Sequence, residues 1–339
     1  MPRLLVGIFA FALVTLLGSS PALACAGLIG SNGTVQLLRT TTLAAYRDGV
    51  EHYVTSFTFQ GGGGQFGSLV PLPGVPSKVE RGGDWTLQRL VRETAPRKFA
   101  VAAPAAGRDA AAEVLLQVRI DALDITVLRG GSNAVGEWAK DHGFRLSPDA
   151  PEVLDFYADR SPIFLAAIFD GDAAAKKGQR VGDGTPVHLT IPTANPWVPL
   201  RVLGLGKKAD ERINADVFLL TERRPALLPA AKTGLDLVYD QPANSRLLAD
   251  LRSDKGMDWV PQSAWLSKIS IDSSVRDLTY DLAVDASGRG APSLVAAGIA
   301  PASARSPFAL DATPLLAATA WLGALILLGV VARRRAVRA

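Results

Sequence analysis

Cysteine and histidine are nearly absent from this chain of 339 residues. Cys25 is the only cysteine, so no disulfide can form within the chain and the fold must rely on its hydrophobic core. The three histidines, His52, His142 and His188, stand in no metal-ligand spacing with each other, with Cys25 or with an acidic residue. The sequence therefore predicts no metal, no cofactor and no catalytic residue, and each histidine is expected to be structural or solvated.

Charge is missing from one long stretch near the C-terminus, Leu315 to Ala332. Its eighteen residues would form a helix of about 27 Å, close to the thickness of the hydrocarbon core of a bilayer. Four arginines follow in residues 333–339, and such basic clusters mark the cytoplasmic end of a membrane span. We expect a transmembrane helix in the lipid bilayer with a cytoplasmic tail. The alternative, a buried core helix, rarely lacks a polar face over this length.

The N-terminus has the pattern of a secretory signal peptide over residues 1–24. Arg3 precedes the apolar run Leu4 to Leu17, and Ala22-Leu23-Ala24 offers small residues for cleavage. The mature chain is then expected to begin at Cys25, with the region up to residue 314 outside the cytoplasm. Lipidation of Cys25 stays open, although Ala22 stands where lipoprotein signals usually carry leucine.

The net charge of +4 is a consequence of these two end segments. Without Arg3 and the four arginines of residues 333–339, 31 basic residues stand against 32 acidic ones. The basic balance is thus typical of membrane targeting, and no basic patch interleaved with aromatic residues indicates nucleic acid as a partner.

Alternating apolar and polar residues predict strands through most of the region 25–285. Val35 to Tyr46 and Tyr53 to Phe59 flank the turn signal Arg47-Asp48-Gly49 and are expected to form a hairpin. Further strands are predicted at 114–120 with 125–127, 163–169, 187–191, 217–221, 235–239 and 278–284. On the predicted strand 187–191, His188 is expected to point away from the core. On the predicted strand 278–284, Asp281 is expected to face solvent together with Asp285, which follows it.

Short helices are predicted where a capping residue precedes an apolar face. Asp84 is expected to cap a helix at Trp85–Glu93, and Ser132 or Asn133 to cap a helix at Ala134–His142. Asp149 is expected to cap a third helix, in which Glu152 would complete a capping box. A further helix is expected at Ser245–Leu251. The expected fold class is α+β: a β-rich extracytoplasmic region with a few short helices, plus one C-terminal transmembrane helix. Residues 286–314, rich in Ala, Ser, Gly and Pro, are expected to form a stalk.

Three fragments resemble catalytic or ligand motifs and fail on context. Gly62, Gly64 and Gly67 have dinucleotide-binding spacing, but the prolines that follow cannot open a helix. Gly130 to Ala134 nearly matches the serine-hydrolase nucleophile elbow around Ser132, without its last glycine, so a helix cap is the simpler interpretation. Asp170-Gly171-Asp172 starts like a calcium loop, but alanines follow where further ligands are needed.

Three segments resemble the signatures of the bacterial domain-of-unknown-function family 2330. They are Val70–Pro76 with Leu90 and Thr94–Pro96; Ile125–Leu128 with Trp138, His142–Phe144, Leu154 and Tyr157; and Pro186–Leu189 with Val198–Val202. The resemblance covers about residues 25–224. Two features depart from it: Gly67-Ser68-Leu69 replaces an expected aromatic residue, and a second early cysteine is absent. The resemblance implies an envelope location, no known activity and no catalytic residues.

Two classes of function remain from the sequence. The first is a membrane-anchored, non-enzymatic binding or structural module of the cell envelope, with an unknown envelope ligand or protein as its partner. The second is an envelope hydrolase assembled only in three dimensions, for which Ser132 and His188 are the candidate participants. A polar pocket that joined these two residues would favour the hydrolase.

Overall fold

The computed structural model describes residues 27–30, 36–60, 65–95, 114–170, 185–287 and 290–301. The strands within these ranges are β1 Gly27–Gly30, β2 Gln36–Arg47, β3 Val50–Gln60, β4 Gln65–Leu72, β5 Lys78–Arg81, β6 Val114–Ile120, β7 Leu123–Arg129, β8 Ile163–Asp170, β9 Val187–Pro192, β10 Trp197–Val198, β11 Arg212–Thr221, β12 Ala226–Leu228, β13 Leu235–Pro242, β14 Trp265–Ser274 and β15 Leu282–Asp285. The helices are α1 Thr86–Glu93, α2 Ser132–Asp141, α3 Ala150–Ala158 and α4 Ser245–Ser253, with short 3₁₀ helices at Arg201–Gly204 and Val275–Asp277.

The predicted α+β, strand-rich class is confirmed, and the elements above belong to a compact unit that ends at Ile299. Three sheets contain the strands. A five-stranded antiparallel sheet has the order β1-β4-β8-β7-β6, and a three-stranded sheet has the order β10-β15-β12. The largest sheet has the order β13-β14-β11-β2-β3-β9-β5, in which β2 and β11 form the parallel pair. Both strands of that pair therefore have neighbours on each side, which places them in the middle of the sheet.

The hairpin of β2 and β3 forms around the turn that the sequence predicts. Asp48 and Gly49 both have positive φ, at 51° and 78°, as a two-residue turn between right-twisted strands requires. Glycine adopts this conformation without a steric cost, and aspartate is among the residues that tolerate it best.

Both faces of the seven-stranded sheet are buried. On one face, Tyr53, Leu189 and Val217 belong to a core that also contains residues of the five-stranded sheet, α2 and α3. On the opposite face, Val54 and Phe218 pack with apolar residues of α1 and α4 in a second core. Where α1 and α4 cover the sheet, its strands therefore have protein on both faces and no face in contact with solvent.

The helix caps differ from the predicted ones. Asp84 does not cap α1; its side chain pairs with Arg81, while the N–H groups of Asp84, Trp85 and Thr86 donate to the carboxylate of Asp254. Asp254 follows α4 and is 4% exposed, so a carboxylate that is distant in sequence satisfies the N-terminus of α1.

The cap predicted for α2 is likewise wrong, whereas Asp149 does stand at the N-cap position of α3 but makes no capping bond with its side chain. The N–H of Ser132, the first residue of α2, donates to Asp155 of α3, and neither Ser132 nor Asn133 caps the helix. Asp149 makes no capping bond to α3 because its carboxylate accepts from the N–H of Gly206, and Glu152 pairs instead with Arg201. Contacts between elements replace the local capping box in each case.

Asp281 is fully buried, which contradicts its predicted place on a solvent-facing strand. Strand β15 begins only at Leu282, and the Asp281 carboxylate accepts hydrogen bonds from the Tyr157 hydroxyl and from the N–H of Leu200 and of Arg201. Arg160, 4% exposed at its side chain, forms an ion pair with it at 2.6 Å. These donors compensate the carboxylate for the loss of water.

The first part of the predicted stalk packs against the domain. Within residues 290–301, Ala296 and Ala297 are buried, and the carbonyl of Ala297 accepts from the N–H of Asp281. The predicted span Leu315–Ala332 lies outside the described residues, as does Cys25. No helix of the described part of the chain is long and apolar enough to cross a membrane.

Candidate functional site

Two of the three histidines meet on the helix-covered face of the seven-stranded sheet. Nδ1 of His52 on β3 lies 2.9 Å from Nε2 of His188 on β9, a hydrogen bond in which one of the two nitrogens carries the proton. On the other side of the His188 ring, Nδ1 of His188 lies 3.3 Å from Oε1 of Glu80 on β5. This is an electrostatic contact without hydrogen-bond geometry. The three residues form a row across three adjacent strands, which we call the histidine row.

An indole closes the histidine row from the helix side. The ring of Trp259, in the segment after α4, stacks on His52 with centroids 4.1 Å apart and an interplanar angle of 3°. It also lies 5.1 Å from the ring of His188. His188 is 1% exposed, so the prediction that it points away from the core is wrong. The alternation of β9 does turn it away from the first core, but the second core covers that face as well.

Burial sets the charge state of the histidine row. Burial lowers the pKa of His188 to about 4, helped by the neighbouring His52, although Glu80 opposes the shift. Burial also lowers the pKa of His52. Both imidazoles are therefore neutral at pH 7, the form in which a histidine can act as a base. A base also needs access to a substrate, and His188 is enclosed by protein.

The structure does not bring Ser132 and His188 together. Ser132 begins α2, where its N–H contacts Asp155 beside the five-stranded sheet, whereas His188 contacts His52 and Glu80 on the other sheet. His142 is the C-cap residue that follows α2, one residue beyond the helix rather than in its predicted last turn, and its Nδ1 lies 2.6 Å from the carbonyl oxygen of Trp138. Asp170 ends β8, and the rest of the calcium-loop fragment lies outside the described residues.

Glu51 is a buried carboxylic acid that sequence reasoning missed. It is 1% exposed, neither carboxylate oxygen has a hydrogen-bond partner among the described residues, and burial raises its pKa to about 8. Its cross-strand neighbours are Tyr46 and Ile191, at the hairpin end of the sheet. The sequence held one signal, since Glu51 occupies the same strand face as Tyr53 and so continues the apolar side of β3.

Two surface clefts lie along β13, one of the two edge strands of the seven-stranded sheet. The first, which we call the β12–β13 cleft, has a volume of about 260 Å³ and lies between the segment 224–231 and β13. The second lies beside the turn that precedes β13, and residues 231–233 of that turn are part of its lining. It is lined by Asn214, Ala231, Lys232, Thr233, Asp236, Leu237, Val238, Ser270 and Asp272. Leu237 lines both clefts, and neither contains Ser132 or a member of the histidine row.

Acidic and basic side chains near the β12–β13 cleft are already paired. Asp240 accepts from Arg224 at 2.5 Å, from Nε1 of Trp265 at 2.6 Å and from the hydroxyl of Ser267 at 2.8 Å. Burial alone would raise the pKa of Asp240, but these hydrogen bonds and the charge of Arg224 lower it. The carboxylate is thus a fixed structural anion. The described residues contain no group of three or more His, Cys, Asp or Glu side chains arranged to hold a metal.

A family model described as "Uncharacterized protein conserved in bacteria" matches residues 20–234, more than half of the chain. The match ends at Gly234, in the turn before β13. The fold continues beyond that point, because β14 pairs with β11 along the whole length of both strands. Strands β13 and β14 therefore share one sheet with strands of the family region.

Two solved structures of baculovirus P35 are similar to this chain at 9% sequence identity. One is a mutated P35 after caspase cleavage, which covers 73% of this chain and 99% of its own with a TM-score of 0.37. The other covers 75% of this chain and 98% of its own with a TM-score of 0.39. At these scores the likeness carries no inference about fold or function. No curated protein matches the chain.

Proposed function

The chain belongs to the bacterial domain-of-unknown-function family 2330, and from that premise we propose that it is a non-enzymatic binding or structural module of the cell envelope. In this proposal the signal peptide 1–24 directs export and Leu315–Ala332 anchors the chain in the membrane by a single span. Residues 333–339 are cytoplasmic, and the folded domain faces outward toward an envelope ligand or protein.

The burial of the histidine row carries the non-enzymatic part of this proposal. Hydrolysis needs a nucleophile or an activated water beside a base that reaches the substrate. His188 is 1% exposed, and its contacts are with His52, Glu80 and Trp259. The hydrogen bond within the row joins the two imidazoles to each other. The row therefore suits a structural role in which neutral rings pack in the second core.

The hydrolase alternative draws no support from the geometry of its candidate residues. Ser132 and His188 lie on elements of different sheets and contact different partners. No cleft described above joins them. A mechanism that used both would require a rearrangement of two packed cores.

The test is an activity screen of the purified full chain against general ester, peptide and glycoside substrates. We expect no turnover in the wild type, and saturable binding to an isolated envelope fraction. Turnover that is lost in both Ser132→Ala and His188→Gln would overturn the proposal. The exposed residue Asn133 offers a control, because Asn133→Ala changes the neighbourhood of Ser132 without removing either candidate residue.

The anchoring part has a separate test in the producing cells. Protease added to intact spheroplasts should digest the folded domain and leave a small protected fragment that contains residues 315–339. Full protection of the domain would contradict the proposed orientation.

A further inference from the structure

We propose that the β12–β13 cleft binds an extended segment of a second polypeptide as an added β-strand. This inference rests on the proposed binding function, and it names the site and the class of partner. Strand addition obtains affinity from main-chain hydrogen bonds to an exposed sheet edge, and specificity from pockets for side chains of the added strand.

The cleft exists because two strands that approach each other join different sheets. The chain before β13 makes one antiparallel bridge to it, with reciprocal hydrogen bonds between Lys232 and Leu235 around a turn in which Gly234 has a φ of 83°. A hairpin would continue upstream of Lys232. Instead β12 turns away to pair with β15. Both β12 and β13 are consequently edge strands, and residues of both line the same cleft.

Main-chain groups of β13 face the cleft. The carbonyl of Gly234 accepts from the N–H of Asp272 on the β14 side, so the alternation of an antiparallel ladder turns the peptide groups of Leu235 and Leu237 to the opposite side. Those of Leu235 bind Lys232. In the described part of the chain, no backbone hydrogen bond outside the strand ladders reaches the N–H or C=O of Leu237. These two groups are the first pair that an added strand would meet.

The side chains around the cleft favour a segment with small or apolar residues. One wall contains the apolar residues Ala226, Leu227, Ala230 and Ala231 next to Arg224 and Pro225, and the other contains Leu237 with Asp240 and Ser267. Arg224 and Asp240 are paired with each other, so the apolar side chains are the ones left to contact an added segment. The volume of about 260 Å³ lies below the range of about 300–1,000 Å³ that is usual for small-molecule pockets. Space of this size between two strand edges fits a short run of extended backbone better than a bulky ligand.

The shape of β13 limits the length of the strand that can pair with its edge. The register of β13 shifts between Leu237 and Tyr239, and the strand ends at Pro242, which has no N–H. Bulges and prolines protect sheet edges from unlimited pairing. Val238, at the shift, is 51% exposed and adds an apolar contact beside the short ladder. The site therefore suits one short strand and resists open-ended association.

The test uses a displayed library of random twelve-residue peptides, selected on the purified full chain. Ala230→Trp places a large side chain in the cleft, and because Ala230 is exposed the fold should tolerate it. Ala194→Trp makes the same change at an exposed position outside the cleft and serves as the matched control. We expect peptides that bind the wild type and the control equally and bind Ala230→Trp about tenfold more weakly or worse. Their binding should slow amide hydrogen exchange at Leu237.

Each other outcome overturns the inference. Failure to select any peptide, equal binding to Ala230→Trp, or unchanged exchange at Leu237 would exclude strand addition at this cleft. Self-association of the wild type that Ala230→Trp abolishes would assign the cleft to a second copy of the chain. These results are distinguishable from failure of the proposed function, which would appear as turnover in the activity screen or as no binding to the envelope fraction.

Discussion

His52 and His188 are diagonal neighbours on adjacent antiparallel strands, with their facing ring nitrogens 2.9 Å apart. The register sets this geometry: His52 stands opposite Thr190, and His188 stands opposite both Val54 on one side and Glu80 on the other. Side chains at diagonal positions on one sheet face lie within reach of each other when they are long or aromatic. The positions of the three residues of the histidine row are therefore fixed by strand pairing and do not depend on any loop.

Replacement of His188 by Gln is expected to reduce the sensitivity of the fold to acid. The pKa of His188 is about 4 in the folded chain against 6.5 as its ordinary value, so the unfolded chain binds the proton more readily. The stability that depends on neutral His188 is present above pH 6.5 and is lost as the pH falls toward 4, by an amount on the order of a few kcal/mol.

Urea unfolding between pH 4 and 8 measures this effect. His188→Gln should flatten the acid limb of the curve of unfolding free energy against pH, and His142→Gln, at a histidine outside the row, is the control. Parallel acid limbs in the wild type and His188→Gln would show that another group controls acid unfolding.

Glu51 is expected to limit stability on the alkaline side. Its pKa is about 8 in the folded chain against an ordinary 4.5, so the folded chain holds the proton more tightly than the unfolded chain does. Its contribution to stability is fully present below pH 4.5 and is lost as the pH rises through 8. Glu51→Gln, which remains neutral, should therefore unfold at higher urea than the wild type at pH 9. The exposed Glu137→Gln is the control, and an equal gain there would refute the assignment.

Trp138 of α2 should contribute strongly to the first core. Its side chain is fully buried and packs against Phe144 with ring centroids 5.9 Å apart. Trp138→Ala is expected to lower the free energy of unfolding by about 3–5 kcal/mol through lost burial and the resulting cavity. Trp85→Ala, at a position 36% exposed, should cost much less. Chemical denaturation measures the free energy of unfolding of both variants. Similar losses in the two would contradict the burial of Trp138 in the first core.

Arg160 and Asp281 should be strongly coupled. Asp281→Asn leaves the Arg160 guanidinium, 4% exposed at its side chain, without a counter-charge, and is expected to cost about 3–5 kcal/mol. In the double variant with Arg160→Met the second change should add little, because the unpaired charge is gone. Additive losses in this double-mutant cycle would show that the pair does not act as a unit.

The strands and helices were largely readable from the sequence because their signals are local. The alternation over residues 114–120 and 125–127 and the turn at Asp48-Gly49 correspond to real hairpins, and the helices at 132–141, 150–158 and 245–253 lie where helices are predicted. Periodicity of this kind reports which residues share a face.

Whether a strand face is buried or exposed depends on elements that are distant in the sequence, and the predictions of exposure were wrong for this reason. The alternation at β9 correctly separated His188 from Leu189, but α1, α4 and Trp259 bury the face that His188 occupies. The prediction that Asp281 faces solvent fails for the same reason, since Tyr157 of α3 and Arg160 just after this helix both contact its carboxylate. A pattern in one strand contains no information about an element that arrives from elsewhere in the chain.

The parallel pairing of β2 with β11 determines when the seven-stranded sheet can form. Thr40 pairs with Ala215, so more than half of the chain's length separates the two central strands of the large sheet. Non-local pairing of this kind slows folding, because the ordering of a long loop precedes the contacts that stabilise it. Until Thr221 has emerged during synthesis, the early hairpin keeps an open edge on β2, and a chain cut short before that residue would lack the strand that completes its centre.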